Sequence, residues 1–225
     1  MSDSRYEIKF TYPIHYVNQI KILVKNSCLG FHEIFQSRKI SSIYLDTLNY
    51  NNGFNNIGGF SEREKYRFRF YNNVIKDTRF EIKSKRGNIY NKKVFNLKRP
   101  FNISNSIDEI LEVFKGKNEI FNIKKLRPVL FCSYDRNYYL SNCKRFRITL
   151  DKNIGFSKIL PTSNLEDIIN NIEKINIGVL ELKFSLEDFE SSYNLLNDLP
   201  LRVNKNSKYE LGLFKTNLID PKNFF

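Results

Sequence analysis

Apolar and charged positions alternate along much of the chain. In EKYRFRFY, residues 64–71, Tyr66, Phe68 and Phe70 fall on one side and Lys65, Arg67 and Arg69 on the other. That is the period of a strand with one buried face. The pattern recurs. Arg5, Glu7 and Lys9 oppose Tyr6, Ile8 and Phe10, and Arg79, Glu81, Lys83 and Lys85 alternate with Phe80 and Ile82. Tyr134, Arg136 and Tyr138 line up; Arg145, Arg147, Thr149 and Asp151 oppose Phe146, Ile148 and Leu150; Glu181 and Lys183 oppose Leu180, Leu182 and Phe184.

This alternation predicts eight strands, at about 5–11, 40–47, 62–72, 78–86, 90–98, 129–139, 144–151 and 178–184. Helical periodicity predicts helices at about 13–26, 106–115, 164–174 and 185–198, with Ser106, Ser163 or Asn164, and Ser185 suited to cap them. The Asn- and Gly-rich stretch 49–60 reads as a flexible loop. With no internal repeat and no linker, residues 1–225 are expected to form a single α+β domain. Its centre is an antiparallel, eight-stranded tunnel β-barrel with a polar, basic interior, and the helices are peripheral.

Thirty-seven Lys and Arg against 24 Asp and Glu give a formal charge of +13, which calls for an anionic partner. Cys28, Cys132 and Cys143 are odd in number and show no paired spacing, which predicts reduced thiols in a cytoplasmic setting. The first residues lack an apolar leader, and no stretch approaches the roughly 20 apolar residues of a membrane span. Any membrane association would therefore pass through a partner.

If the sheet closes, its ionic faces converge on the interior, as in barrels wide enough to hold a ligand. Buried cations need anions there. Arg at alternate positions offers a fork matched to phosphate oxygens, and Glu7, Glu81 and Glu181 are candidate hard ligands for a divalent metal. Like-charge crowding on this face predicts that replacing Arg67 and Arg69 by Ala leaves the fold intact or more heat-stable. An ordinary solvated sheet face is the competing reading for any single strand.

The chain resembles the VTC domain, the polyphosphate polymerase domain of vacuolar transporter chaperone complexes and their bacterial relatives, within the triphosphate tunnel metalloenzymes. The resemblance rests on RYEIKF, SSIYLDTLNY, REKYRFRFY, FEIKSKRG, RPVLFCSYDRNYY, RFRITLD, GVLELKF and NSKYELGL in that order. It implies transfer of the terminal phosphate of ATP onto a polyphosphate chain with Mn or Mg. Carried over by motif, Arg67, Arg69, Lys83, Arg136 and Lys208 take the catalytic places. Lys9, Tyr134, Arg147, Lys183 and Ser207 bind substrate, and Glu181 holds the metal. Lys92 or Lys93 joins the substrate-binding set; alternation does not decide between them, and Lys93 is taken. Arg5 stands where hydrolytic members of the superfamily carry a first Glu, which favours the polymerase branch. Coupled translocation would need a separate membrane protein.

Two other functions remain open on sequence. A triphosphatase would use Glu7 or Glu81 to activate water. A non-catalytic binder of polyanions or single-stranded nucleic acid would stack bases on Tyr and Phe; most aromatics lie opposite the cations, so no nucleic-acid partner is expected. His15 and His32 read as structural or surface residues.

Overall fold

The computed structural model describes residues 5–72, 74–87, 89–96 and 125–224. Its strands are β1 (Arg5–Pro13), β2 (His32–Asp46), β3 (Glu62–Tyr71), β4 (Val74–Arg86), β5 (Ile89–Asn96), β6 (Arg127–Leu140), β7 (Arg147–Lys158), β8 (Glu173–Lys174) and β9 (Ile177–Ser185). The helices are α1 (Val17–Lys25), α2 (Asn51–Ile57), α3 (Leu165–Asn170), α4 (Phe189–Asp198) and α5 (Lys208–Lys215). Eight strands hydrogen-bond in the order β1-β9-β7-β6-β2-β3-β4-β5, with β8 paired to β7. β1 with β9, β7 with β9, β3 with β2 and β4, and β4 with β5 pair antiparallel. The α+β class and the eight expected strands are present; the expected helix at 106–115 lies outside the described residues.

The chain divides into two compact units, each made of three separate segments. Unit 1 comprises residues 1–39, 134–154 and 174–206, and unit 2 comprises 40–133, 155–173 and 207–225. In unit 1, Phe10, Phe146, Ile148, Leu180, Leu182 and Phe184 form the sheet side of a core that Ile20 and Val24 of α1 and Leu195 of α4 close. In unit 2, Ile43, Leu45, Phe68, Phe70, Phe80 and Phe131 pack with Leu165 and Ile168 of α3. These are the apolar halves of the alternating strands. Burying them fixes register, because a one-residue slip would bring every charge to the core side.

Several segments differ from the sequence expectation: α5 at Lys208–Lys215 lies outside the expected helices, β8 takes Glu173–Lys174 from the end of the expected helix 164–174, and two further differences have a visible cause. Residues 49–60 hold a helix rather than a flexible loop. The reason is Asp46, buried at the end of β2: its Oδ1 accepts from the Thr47 and Asn52 amides at 2.7 and 2.9 Å, and its Oδ2 accepts from the Gly53 amide at 2.8 Å. A carboxylate thus satisfies amides that the first turn of α2 leaves open. Strand β2 also begins at His32, well before residue 40, and its first seven residues have no buried side chain. Without a buried face they carry no alternation to read.

Candidate functional site

Each unit carries an ionic cluster on the strand face opposite its core. In unit 2, Arg67 and Arg69 project from β3 beside Glu81 of β4. Arg67 donates Nε and Nη2 to Glu81 Oε2 at 2.7 and 2.5 Å, Arg69 Nη1 lies 3.7 Å from the same oxygen, and Lys92 of β5 donates to Oε1 at 2.8 Å. Arg67 also reaches the Tyr44 hydroxyl at 3.4 Å, and Tyr44 stacks on Tyr209 of α5. The Tyr209 hydroxyl donates to Asp46, so the Arg67 platform and the start of α2 share one support. Lys65 donates to Ser207 Oγ at 2.8 Å and to Glu210 Oε1 at 3.0 Å, while Ser207 caps α5 by accepting from the Glu210 amide.

In unit 1, Arg136 of β6 forms a fork on Asp151 of β7, Nε to Oδ1 at 2.6 Å and Nη2 to Oδ2 at 2.7 Å, over the face of the buried Tyr134 ring. Beside it, Glu7 and Glu181 share two lysines. Lys183 lies 2.6 Å from Glu181 and 3.4 Å from Glu7; Lys9 lies 2.8 Å from Glu7 and 3.9 Å from Glu181. The register places Lys9 opposite Glu181 and Glu7 opposite Lys183 across β1 and β9, and Arg147 opposite Lys183 across β7 and β9.

These faces are not ordinary solvated ones. The Arg67, Arg69 and Arg136 side chains are only 13, 12 and 13% exposed, and Glu81 and Asp151 are 3 and 1% exposed. Burial alone would raise the Glu81 carboxyl, but Arg67, Arg69 and Lys92 overcome it and hold the group well below the usual carboxylate range. Glu181 behaves alike: burial pushes it up, and Lys183, Arg136 and Lys9 bring it far down. Both are ionised near neutrality. Burial works against the charge on Lys183 too, yet Glu181 and Glu7 raise its pKa, so it stays an ammonium.

Arg67, Arg69, Lys83, Ser207 and Lys208 lie in unit 2, and Lys9, Tyr134, Arg136, Arg147, Glu181 and Lys183 in unit 1. Lys93, also in unit 2, lies on the other face of the sheet. It pairs opposite Ile82, on the apolar side of β4, whereas Lys92 pairs opposite Lys83 and contacts Glu81. Lys92 therefore shares the face of Glu81 and Lys93 does not, which two-residue alternation could have found once the β4–β5 register was known. Glu81, a metal candidate on sequence, has both oxygens on cations and acts as their counter-ion.

Among the described residues no group of three or more His, Cys, Asp or Glu is placed to hold a metal ion. The Glu7 and Glu181 carboxylates nevertheless lie side by side on two shared lysines, and Mg2+ is commonly held by one or two carboxylates with phosphates completing its shell. The adjoining Thr149 hydroxyl, opposite Glu181, is buried without a hydrogen-bond partner among the described residues. All four oxygens of the Glu7 and Glu181 pair face Lys9 or Lys183, as those of Glu81 face Arg67 and Lys92, so a divalent ion held there would displace the lysines. No helix among the described residues is long and apolar enough to cross a membrane.

The sequence matches the VTC domain family over residues 4–217. The chain belongs to the VTC domain family. Among solved structures it is similar to the PH1819 protein from Pyrococcus horikoshii OT3, at 15% identity and a TM-score of 0.56, covering 94% of this chain and 99% of that one. It is also similar to a protein called "putative adenylate cyclase" from Bacillus halodurans, at 11% identity and a TM-score of 0.51, covering 98% of each chain. These two likenesses establish a shared fold. No curated protein sequence matches the chain.

Proposed function

We propose that this protein is a polyphosphate polymerase that binds the triphosphate of ATP and transfers its terminal phosphate onto a polyphosphate chain with Mn or Mg. Membership of the VTC family supports the reading. The observation that carries it is the pair of buried guanidinium groups in unit 2, Arg67 and Arg69 beside Glu81; in unit 1 Arg136 is buried likewise on Asp151. Phosphoryl transfer depends on positioning and on neutralising charge rather than on a protein nucleophile. Preorganised guanidinium groups supply both.

In this mechanism Arg67 and Arg69 of unit 2 exchange part of their contact with Glu81 for phosphate oxygens, and in unit 1 Arg136 exchanges part of its contact with Asp151 in the same way. Lys9, Lys183 and Arg147 hold further oxygens and reduce repulsion between the two phosphate groups. Glu181, with Glu7 beside it, would hold the divalent ion, which supplies charge neutralisation on the transferring phosphate when bound. The acceptor is an ionised phosphate oxygen, so no strong general base is required.

Incubation of the purified protein with ATP and Mn, followed by a gel stained for polyphosphate, tests the proposal. A ladder of polymer is expected. Release of inorganic phosphate without polymer would favour the triphosphatase reading. Metal-independent RNA binding without turnover of ATP would favour the binding module.

A further inference from the structure

Two tight turns of unit 1 are docked on each other, and each carries an exposed cysteine. The first follows α1: the Gly30 amide donates to the Ser27 carbonyl at 2.9 Å, which puts Cys28 and Leu29 at the two central positions. The second joins β6 to β7: the Lys144 amide donates to the Ser141 carbonyl at 2.8 Å, with Asn142 and Cys143 at the centre. The turns meet where the Asn142 amide donates to the Leu29 carbonyl at 3.1 Å. Their approach is close, since a Cβ on Gly30 would lie 2.3 Å from Asn142 Nδ2. Cys28 and Cys143 are therefore each one residue from the hydrogen bond that joins their turns. Cys132, the third cysteine, is buried.

The surroundings of Cys143 favour its reactive form. Ser141 Oγ lies 3.2 Å from Cys143 Sγ and accepts from the Phe146 amide at 3.1 Å, so its own hydrogen is left for the sulfur. The Ser141 hydrogen bond, with the Arg145 amide and guanidinium behind it, holds the Cys143 thiol below its ordinary value although burial opposes the shift. Arg145 is itself fixed by Asp188, to whose Oδ1 it donates at 2.6 Å. An exposed cysteine that ionises readily, next to a second exposed cysteine, is the arrangement a peroxide-reactive thiol requires.

We infer that Cys28 and Cys143 are a reversible, peroxide-responsive thiol pair, with Cys143 the sulfur that attacks and Cys28 the one that resolves. The Cys143 sulfur attacks one oxygen of hydrogen peroxide, the O–O bond breaks and water leaves, so that Cys143 becomes a sulfenic acid. The Cys28 sulfur then attacks the Cys143 sulfur; the S–O bond breaks, a second water leaves and the disulfide forms. Two thiols are oxidised by two electrons, and the peroxide is reduced to two waters. A dithiol reverses the change by exchange, and in a reducing compartment the bridge is transient. A disulfide joins Cα atoms no more than about 7 Å apart, and the docking of the two turns is what brings this pair within that span. The bridge fastens the end of α1 to the turn that leads into β7, and it is independent of the phosphate chemistry of the ionic faces.

Treatment of the whole, reduced protein with hydrogen peroxide tests the pair, with thiols counted by alkylation in denaturant and with the intact chain and its peptides weighed. The expected result is loss of two of the three thiols, a monomer lighter by two hydrogens, a peptide in which Cys28 is joined to Cys143, and full recovery in dithiothreitol. Cys28→Ser is expected to stop at a sulfenic acid on Cys143, trapped by dimedone. Cys143→Ser is expected to keep both remaining thiols at the same dose of peroxide, and Arg145→Gln to lose thiols several-fold more slowly than the wild type. Survival of all three thiols in the wild type, a disulfide formed only between chains, or undiminished thiol loss in Cys143→Ser would overturn the pair.

Discussion

Arg67 and Glu81 show how far the chemistry of this face depends on pairs. Sequence alone predicts that removing Arg67 and Arg69 relieves like-charge crowding and costs no stability. The structure reverses this expectation, because Glu81 is 3% exposed and its charge is compensated by those two guanidinium groups and Lys92. Removing one partner of a buried pair strands the other. Arg67→Ala is therefore expected to lose roughly 3 kcal/mol of unfolding free energy, and Arg67→Leu with Glu81→Leu to recover much of it while abolishing phosphate binding. Urea unfolding of the two proteins checks this. A wild-type stability in Arg67→Ala would show that Glu81 does not depend on Arg67.

The same carboxylates set the response to acid. The folded-state pKa values of Glu81 and Glu181 lie below their ordinary value of 4.5. Between those depressed values and 4.5, the unfolded chain binds more protons than the folded one, so stability rises with pH there. The contribution is complete above about pH 4.5 and is lost progressively as pH falls toward the folded-state values. Glu81→Gln is expected to flatten the dependence of unfolding free energy on pH in that acid window. Curves of equal slope for both proteins would contradict the shift.

At the scale of elements, α5 meets the cluster of unit 2 on its ionic face, through Lys65 and Tyr44, and α2 is tied to α5. Asp46 joins them through the α2 amides and the Tyr209 hydroxyl. Asp46→Ala should cost at least about 2 kcal/mol, from the lost cap and a stranded buried hydroxyl, and should loosen Tyr44 beneath Arg67. Circular dichroism and triphosphate affinity measured together check it; lower stability with unchanged affinity would separate the support from the site. Gly212 allows α5 to pack closely, since a Cβ there would lie 2.4 Å from Leu130 Cδ2 and 2.7 Å from Phe156 Cδ1. Gly212→Ala is expected to destabilise by about 1–3 kcal/mol through overpacking, read as a lower urea midpoint.

These elements also mark what the sequence makes legible. The alternation is clearest in β3, where one face is buried and the other is not; the apolar residues at every second position of β9 and the start of β7, and the alternating burial in the last residues of β6, extend it, which places Arg67, Arg69, Arg136 and Glu181 on the ionic side. Helix α2 is hidden because its support comes from Asp46, outside the helix and a residue that reads as a turn former. A Gly in mid-helix conceals α5, although close packing requires it. The choice of Lys92 over Lys93 and the pairing of Glu81 both depend on register between strands. A single strand's pattern cannot supply register, which is set by how neighbouring strands bury their apolar faces together.

For the molecule as a whole, an excess of 13 positive charges and two buried ionic clusters make folding and anion binding linked equilibria. A ligand that binds only the folded chain stabilises it by mass action, about 2.7 kcal/mol at a hundred times its dissociation constant. A diffuse basic surface would respond to ionic strength and valence, whereas forked guanidinium groups respond to a phosphate chain. The direct test is the melting temperature in tripolyphosphate against sulfate at matched ionic strength, for the wild-type protein and for Arg67→Leu with Glu81→Leu. The account predicts a rise of several degrees specific to tripolyphosphate in the wild type and absent from the double variant; equal stabilisation by sulfate, or an undiminished rise in the variant, would contradict it.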